Sequence, residues 1–119
     1  MDTRPKTIIC DIDGTIVKHE LPYKNTSSSK KLELLPGTIE KFSEWDAKGY
    51  NIILMTGRKE SLRLNTEKQL ADAGIFFDKL IMGVGGGPRI IINDNKPDGT
   101  QTAFSHSLKR NEGISKLNL

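Results

Sequence analysis

Asp11 and Asp13 stand two residues apart at the end of an apolar run, in Ile9-Cys10-Asp11-Ile12-Asp13-Gly14-Thr15. Carboxylates this close repel one another unless something offsets the charge. A divalent cation is one remedy. Mg2+ favours hard oxygen ligands, one or two carboxylates among them, with water and substrate phosphate completing its shell. The same residues also suit an aspartate-rich turn whose side chains cap nearby amides. Two further polar clusters follow apolar runs: Thr56-Gly57-Arg58 after Tyr50 to Met55, and Asn93-Asp94-Asn95-Lys96 after Arg89 to Ile92.

Position is then the work of the elements in between. Lys6 to Cys10 reads as a short buried strand, stopped by the polar run and its turn glycine. Residues 18–35 are polar and carry Pro22 and three serines in a row, which predicts a loop or flap. Pro36-Gly37-Thr38 opens a helix with Ile39, Phe42 and Trp45 on one face, and Gly49 stops it. A second strand follows to Thr56. A second helix over Lys59 to Ala73 closes at Gly74, and a third strand runs near Lys79 to Met82. Arg89 to Asn93 is expected as a fourth strand, Thr102 to Ser107 as an edge strand, and residues 108–119 as a weakly ordered tail.

Apolar runs without alternation, separated by helices, predict a parallel sheet covered on both faces. The fold class is α/β, a three-layer Rossmann-like open sheet in one domain over residues 1–119, with no large cap. Ligands of such sheets bind beyond the carboxyl ends of the strands. All three polar clusters are expected there.

In order and spacing these clusters resemble the haloacid dehalogenase superfamily, from Ile8 to about Pro97. The resemblance implies a phosphatase. Asp11 would be the nucleophile that forms an aspartyl-phosphate, and Asp13 the acid and base that protonates the leaving alcohol and then activates water. It further implies phosphate contacts from Thr56 and Gly57, and an Mg2+ held by Asp11, Asp13 through its carbonyl, and Asp94. An acid at position 13 favours hydrolysis over transfer.

Two features depart from the pattern. Asn93-Asp94 stands where many relatives carry two acids, so weaker or more selective metal binding is expected. The third-motif lysine has no obvious counterpart. Arg89, at the start of the expected fourth strand, falls roughly 13 Å from Asn93 at the wrong end. Lys96 is taken as the stand-in and Arg58 as a second option, both as phosphate ligands, against the alternative of solvated surface cations. The glycine-rich Gly83 to Pro88 segment lacks the lysine and hydroxyl of a Walker loop. It is also short for a parallel crossover, and a hairpin there would carry Asp94 away from Asp11.

Composition narrows the rest. The chain has 119 residues, 28% charged and 35% hydrophobic, and no apolar run approaches a membrane span of roughly 20 residues. No secretory signal precedes the first strand, so a cytoplasmic location is expected. The lone Cys10 reads as a buried thiol. The net charge of +3 is spread among acids without a basic stripe, which weakens nucleic-acid binding as a reading. His19 and His106 show no metal-like spacing.

Without a cap, either the substrate is large or another subunit covers the site, a homo-oligomer in that case. Capless relatives offer two substrate classes, sugar phosphates and the 3′-phosphate ends of nucleic acids. The scattered charge and the lack of aromatics near the motifs favour a small phosphorylated metabolite such as a sugar phosphate. A non-catalytic phosphate-binding module and a phosphoacceptor receiver domain are the readings from other classes.

Overall fold

The computed structural model describes residues 3–20 and 30–119. Half of the expected flap, residues 21–29, lies outside the described residues. Strand β1 spans Thr7–Asp11, helix α1 Thr38–Ala47, β2 Asn51–Met55, a 3-10 turn Glu60–Leu62, helix α2 Arg63–Asp72 and β3 Lys79–Ile81. The strands form a parallel sheet in the order β1-β2-β3. Its register pairs Asp11 with Met55 and Met55 with Ile81. The three carboxyl ends are therefore level.

Alternation along the strands sorts the side chains by face. Cys10, Ile12, Ile52, Leu54, Leu80 and Met82 are buried with Phe42, Trp45 and Leu70 of the helices. Of the opposite parity, Ile9 and Ile81 are exposed and Ile53 and Met55 half-buried. Among the described residues coverage is thus one-sided. Two β-α-β crossovers of the same hand, taken in the same direction, place both helices on one face. Helix α1 buries Thr38, Phe42 and Trp45, spaced by four and three. Ile39 is instead exposed, so the buried stripe begins at Thr38, one residue before the expected position, and shares Phe42 and Trp45 with it. Thr38 belongs to it because its hydroxyl donates to the carbonyls of Ile16 and Leu35.

Three expectations fail beyond β3. Neither Arg89 to Asn93 nor Thr102 to Ser107 forms a strand. The chain instead leaves the body as a doubled-back arm with a turn at its tip, where Lys96 N–H donates to the Thr100 carbonyl. Ile90 is 84% and Ile92 93% exposed, and the molecule measures 50 × 28 × 25 Å along its principal axes. The physical cause is the connection. Residues 83–88 do not descend to the amino end of the sheet, which a parallel fourth strand requires, but cross its carboxyl end.

The tail is also ordered. Ile114 is buried, and Leu117 and Leu119 pack on the core. Ile114 N–H donates to the Pro36 carbonyl. At its far end the Leu119 carbonyl accepts from Lys48 Nζ and the Tyr50 hydroxyl.

Candidate active site

Asp11 ends β1, and the in-register pairing with Met55 brings Thr56 to the level of Ile12. The loop after Asp11 is closed by local bonds: the Ile12 carbonyl accepts from Thr15, Ile16 and Val17, while Gly14 N–H donates to the Val17 carbonyl. Across it, Lys18 and Leu35 bond to Glu33 and Ile16, so the Val17 and Leu34 segments pair antiparallel. The tail braces the same loop, with Asn111 N–H on the Gly14 carbonyl at 2.8 Å and the Asn111 side chain accepting from His19 N–H at 2.7 Å.

Asp11 keeps an outer edge open to solvent, yet the surrounding backbone displaces enough water to push its carboxyl above the usual range. The Ile12 amide and then the Arg89 charge pull the other way; Asp13 adds to the rise and His19 opposes it. The carboxylate is thus destabilised where a cation or a phosphate-bound metal restores the balance.

Arg58 is turned onto Asp13. Its Nε donates to Oδ2 at 2.9 Å and Nη2 to Oδ1 at 2.9 Å, a bidentate pair. The remaining amine, Nη1, donates to Thr66 Oγ1 at 3.2 Å and Gln69 Oε1 at 2.7 Å on α2. The guanidinium is therefore occupied as an anchor between the acid loop and α2, whereas the sequence pointed to a phosphate ligand. Both Asp13 oxygens are acceptors in this pose. To give or take a proton at substrate, the carboxyl must release one of them.

Thr56 is fully buried, and its hydroxyl accepts from Arg58 N–H at 3.1 Å. Gly57 is required by a close approach: a Cβ there would lie 2.9 Å from the Gly85 carbonyl oxygen. That contact, with Gly83 N–H on the Arg58 carbonyl and Val84 N–H on the Thr56 carbonyl, tracks residues 83–85 along the end of β2. Four residues later Arg89 reaches Asp11 closely enough to act on its charge.

Arg89 is thus at the acid end of the sheet, not the opposite one. A separation of roughly 13 Å from Asn93 at the opposite end requires a strand rising from Arg89, and no such strand forms in this chain. Lys96 stands in the turn at the tip of the arm, and the charges acting on Asp11 are those of Arg89, Asp13 and His19. Asp94 lies on the arm as well. Its carbonyl accepts from the Thr102 hydroxyl, which also accepts from Asn93 Nδ2. Among the described residues no three acids, histidines or cysteines gather as a metal cage. What remains at the strand ends is still a hard-oxygen set, the Asp11 carboxylate and the Asp13 carbonyl, and Mg2+ readily binds through so few protein ligands.

Among the described residues Asp11 is exposed and Asp13 half-buried. A cleft of about 430 Å³ lies elsewhere, between Pro36 and the 108–116 segment, and a smaller one at Thr7, Asn51 and Asp78.

Residues 5–85 match the family model of the polynucleotide kinase PNKP phosphatase domain, which belongs to the haloacid dehalogenase superfamily. The chain belongs to this family. The matching model is that of a phosphatase domain. Two solved structures carry related chains. One, of a Pnkp1/Rnl/Hen1 complex, is 30% identical with a TM-score of 0.57 over 76% of this chain and 31% of that one. The other, of the Pnkp1/Rnl/Hen1 RNA repair complex, is 31% identical with a TM-score of 0.55 over 66% and 25%. The chain thus spans about a third or less of those relatives. A structural-genomics protein from Vibrio cholerae, 16% identical with a TM-score of 0.57, shares the fold over 96% of this chain and 90% of its own. No curated protein matches the sequence. No helix among the described residues is long and apolar enough to cross a membrane.

Proposed function

We propose that this chain is a Mg2+-dependent phosphomonoesterase that works through an aspartyl-phosphate on Asp11 and takes the 3′-phosphate end of a nucleic acid. The observation that carries the reading is the level alignment of Asp11 and Thr56-Gly57 at adjacent parallel strand ends, in a chain matching a polynucleotide phosphatase family. The exposure of Asp11 suits a substrate too large to be enclosed.

An oxygen of Asp11 attacks phosphorus in line, the ester P–O bond breaks, and Asp13 hands its proton to the leaving oxygen. Water then attacks phosphorus while Asp13 takes its proton, which frees inorganic phosphate and restores Asp11. The Thr56 hydroxyl and the Gly57 amide hold phosphoryl oxygens, and Arg58 positions Asp13. The cation would be held by Asp11 and the Asp13 carbonyl, with Asp94 as a third ligand only if it is brought to the strand ends, and when bound it would neutralise charge growing on the phosphoryl group.

A sugar phosphate is the second reading, favoured by the even scatter of Lys and Arg among acids. The test is phosphate release, with and without Mg2+, from a 3′-phosphorylated oligonucleotide and from a panel of sugar phosphates. A preference for the oligonucleotide, lost in Asp11→Asn, supports the proposal. Turnover of sugar phosphates alone selects the second reading, and equal inertness of wild type and Asp11→Asn on everything refutes both.

A further inference from the structure

We propose that residues 89–107 are an exchanged arm, which pairs with the β1 edge of a second copy of this chain and delivers Asp94 to that copy's Asp11. Three observations meet here. The arm carries Ile90, Ile91, Ile92 and Phe104, all exposed, in a run with the β-branched, apolar character of a buried strand. Isolated in solvent, such a segment is the kind of surface that other chains cover. Second, β1 is an edge: β2 lies on one side, and among the described residues no strand lies on the other. Ile9, on that edge, is exposed too. Edge strands with free N–H and C=O groups template the addition of another strand.

The third observation is direction, and it excludes the chain's own β1. Residues 83–85 cross the carboxyl end of the sheet against Thr56, Gly57 and Arg58, so the arm starts at that end. From there, pairing with its own β1 edge runs downhill and antiparallel. At about 3.3 Å per residue the five steps from Arg89 would carry Asp94 roughly 16 Å from the acid pair. On a second copy no such constraint applies. Arg89–Asn93 matches the five residues of β1 in length, and a parallel pairing of Thr7 with Arg89 sets Ile9 beside Ile91. Asp94 then falls beside Ile12, at the carboxyl end. The arm's own turn and the 102–107 leg follow as the new outer strand.

The role given to Asp94 rests on the phosphatase reading above, whereas the exchange does not. Sedimentation reads the exchange first: a species of twice 13.2 kDa is expected, and a monomer at every concentration overturns it. Cysteine pairing distinguishes arm exchange from other dimers. Ile9→Cys and Ile91→Cys, made in separate chains and co-expressed, should form an interchain disulfide under mild oxidation, with buried Cys10 as a silent background; a wild-type-like absence of cross-link overturns the pairing.

Complementation reads the shared site. Asp11→Asn and Asp94→Asn are each expected to lose at least tenfold in Mg2+-dependent phosphate release. Co-expressed, half of the dimers are mixed and each mixed dimer holds one intact site, so activity should return to about a quarter of wild type. No recovery, or full activity of Asp94→Asn alone, overturns the shared site. If dimers and cross-links form while wild type releases no phosphate from any substrate, the phosphatase reading falls and the exchange stands.

Discussion

Replacing Arg58 by methionine tests whether the acid loop is held by α2. Arg58 is 5% and Asp13 22% exposed at the side chain. Breaking a buried pair by removing one partner costs about 3–5 kcal/mol. The partial exposure of Asp13 puts the expected loss at the lower end, about 3 kcal/mol, because water reaches one side of the orphaned carboxylate. Thr66 and Gln69, both buried, also lose a donor, which adds roughly 1 kcal/mol. For a chain of this size the sum lowers Tm by roughly 10–15 °C. Arg58→Lys keeps the charge but not the fork, and about half the loss is expected. The assay is thermal and urea unfolding of wild type, Arg58→Met, Asp13→Asn and the double variant. A coupling energy of about 1.5–3 kcal/mol is expected from the cycle. Since Asp13 loses its orientation as well, phosphate release should fall by roughly 10- to 100-fold, part of what a positioned acid-base group supplies. A coupling below about 0.5 kcal/mol, the additivity expected of unconnected sites, would refute the anchoring argument.

Asp11→Asn should raise Tm at neutral pH in the presence of a chelator. The folded-state pKa of Asp11 is raised, chiefly by burial, so below the ordinary carboxylate range both states are protonated and the substitution is neutral. As pH rises from there the unfolded chain ionises first, and the native state loses stability until pH passes the folded value; a variant advantage that fails to grow with pH contradicts this. Cys10, its thiol pushed up to about 12 by burial with Asp11 adding to the rise, should react with iodoacetamide about a thousandfold more slowly than a free thiol at pH 8 until urea unfolds the chain; fast native labelling disproves the buried state. Gly113→Ala meets a positive φ of 85° and a Cβ only 2.3 Å from the Pro36 carbonyl oxygen. About 2–4 kcal/mol of destabilisation and earlier proteolysis of the tail are expected, and an unchanged melt would mean that the tail is not seated on Pro36.

The parts of the site that the sequence reveals are those made by neighbours along the chain. A strand of Thr7 to Asp11 and a turn place Asp11 within a few residues, and β2 does the same for Thr56 and Gly57, so apolar runs and their polar ends suffice. Arg58 is different. Its partners lie 45 residues away in Asp13 and 8 and 11 residues along on α2, and a bidentate clamp leaves no local spacing signal. One cue did exist, since Thr66 and Gln69 are polar residues at an i, i+3 spacing on a helix that must bury a face. The order of the tail is hidden for a related reason. Ile114, Leu117 and Leu119 repeat too briefly to mark a helix, yet they complete the core beside α1.

The arm is the instructive case, because its sequence and its place in the chain disagree. Arg89-Ile90-Ile91-Ile92-Asn93 has the composition of a buried parallel strand, but parallel return within a chain needs a connection of about a dozen residues or more. Residues 82–88 are seven, four of them glycines. A short glycine-rich link crosses the strand ends at Gly57 and brings a cation, Arg89, to Asp11, leaving the next five residues without a parallel edge of their own. The family match stops at residue 85, just where this conflict begins. The half of the site built by β1 and β2 is therefore local to one chain, and completion by Asp94 requires either an antiparallel route, which leads away from the acids, or a β1 edge belonging to another copy. Only the second satisfies both the composition of the arm and the direction of its link.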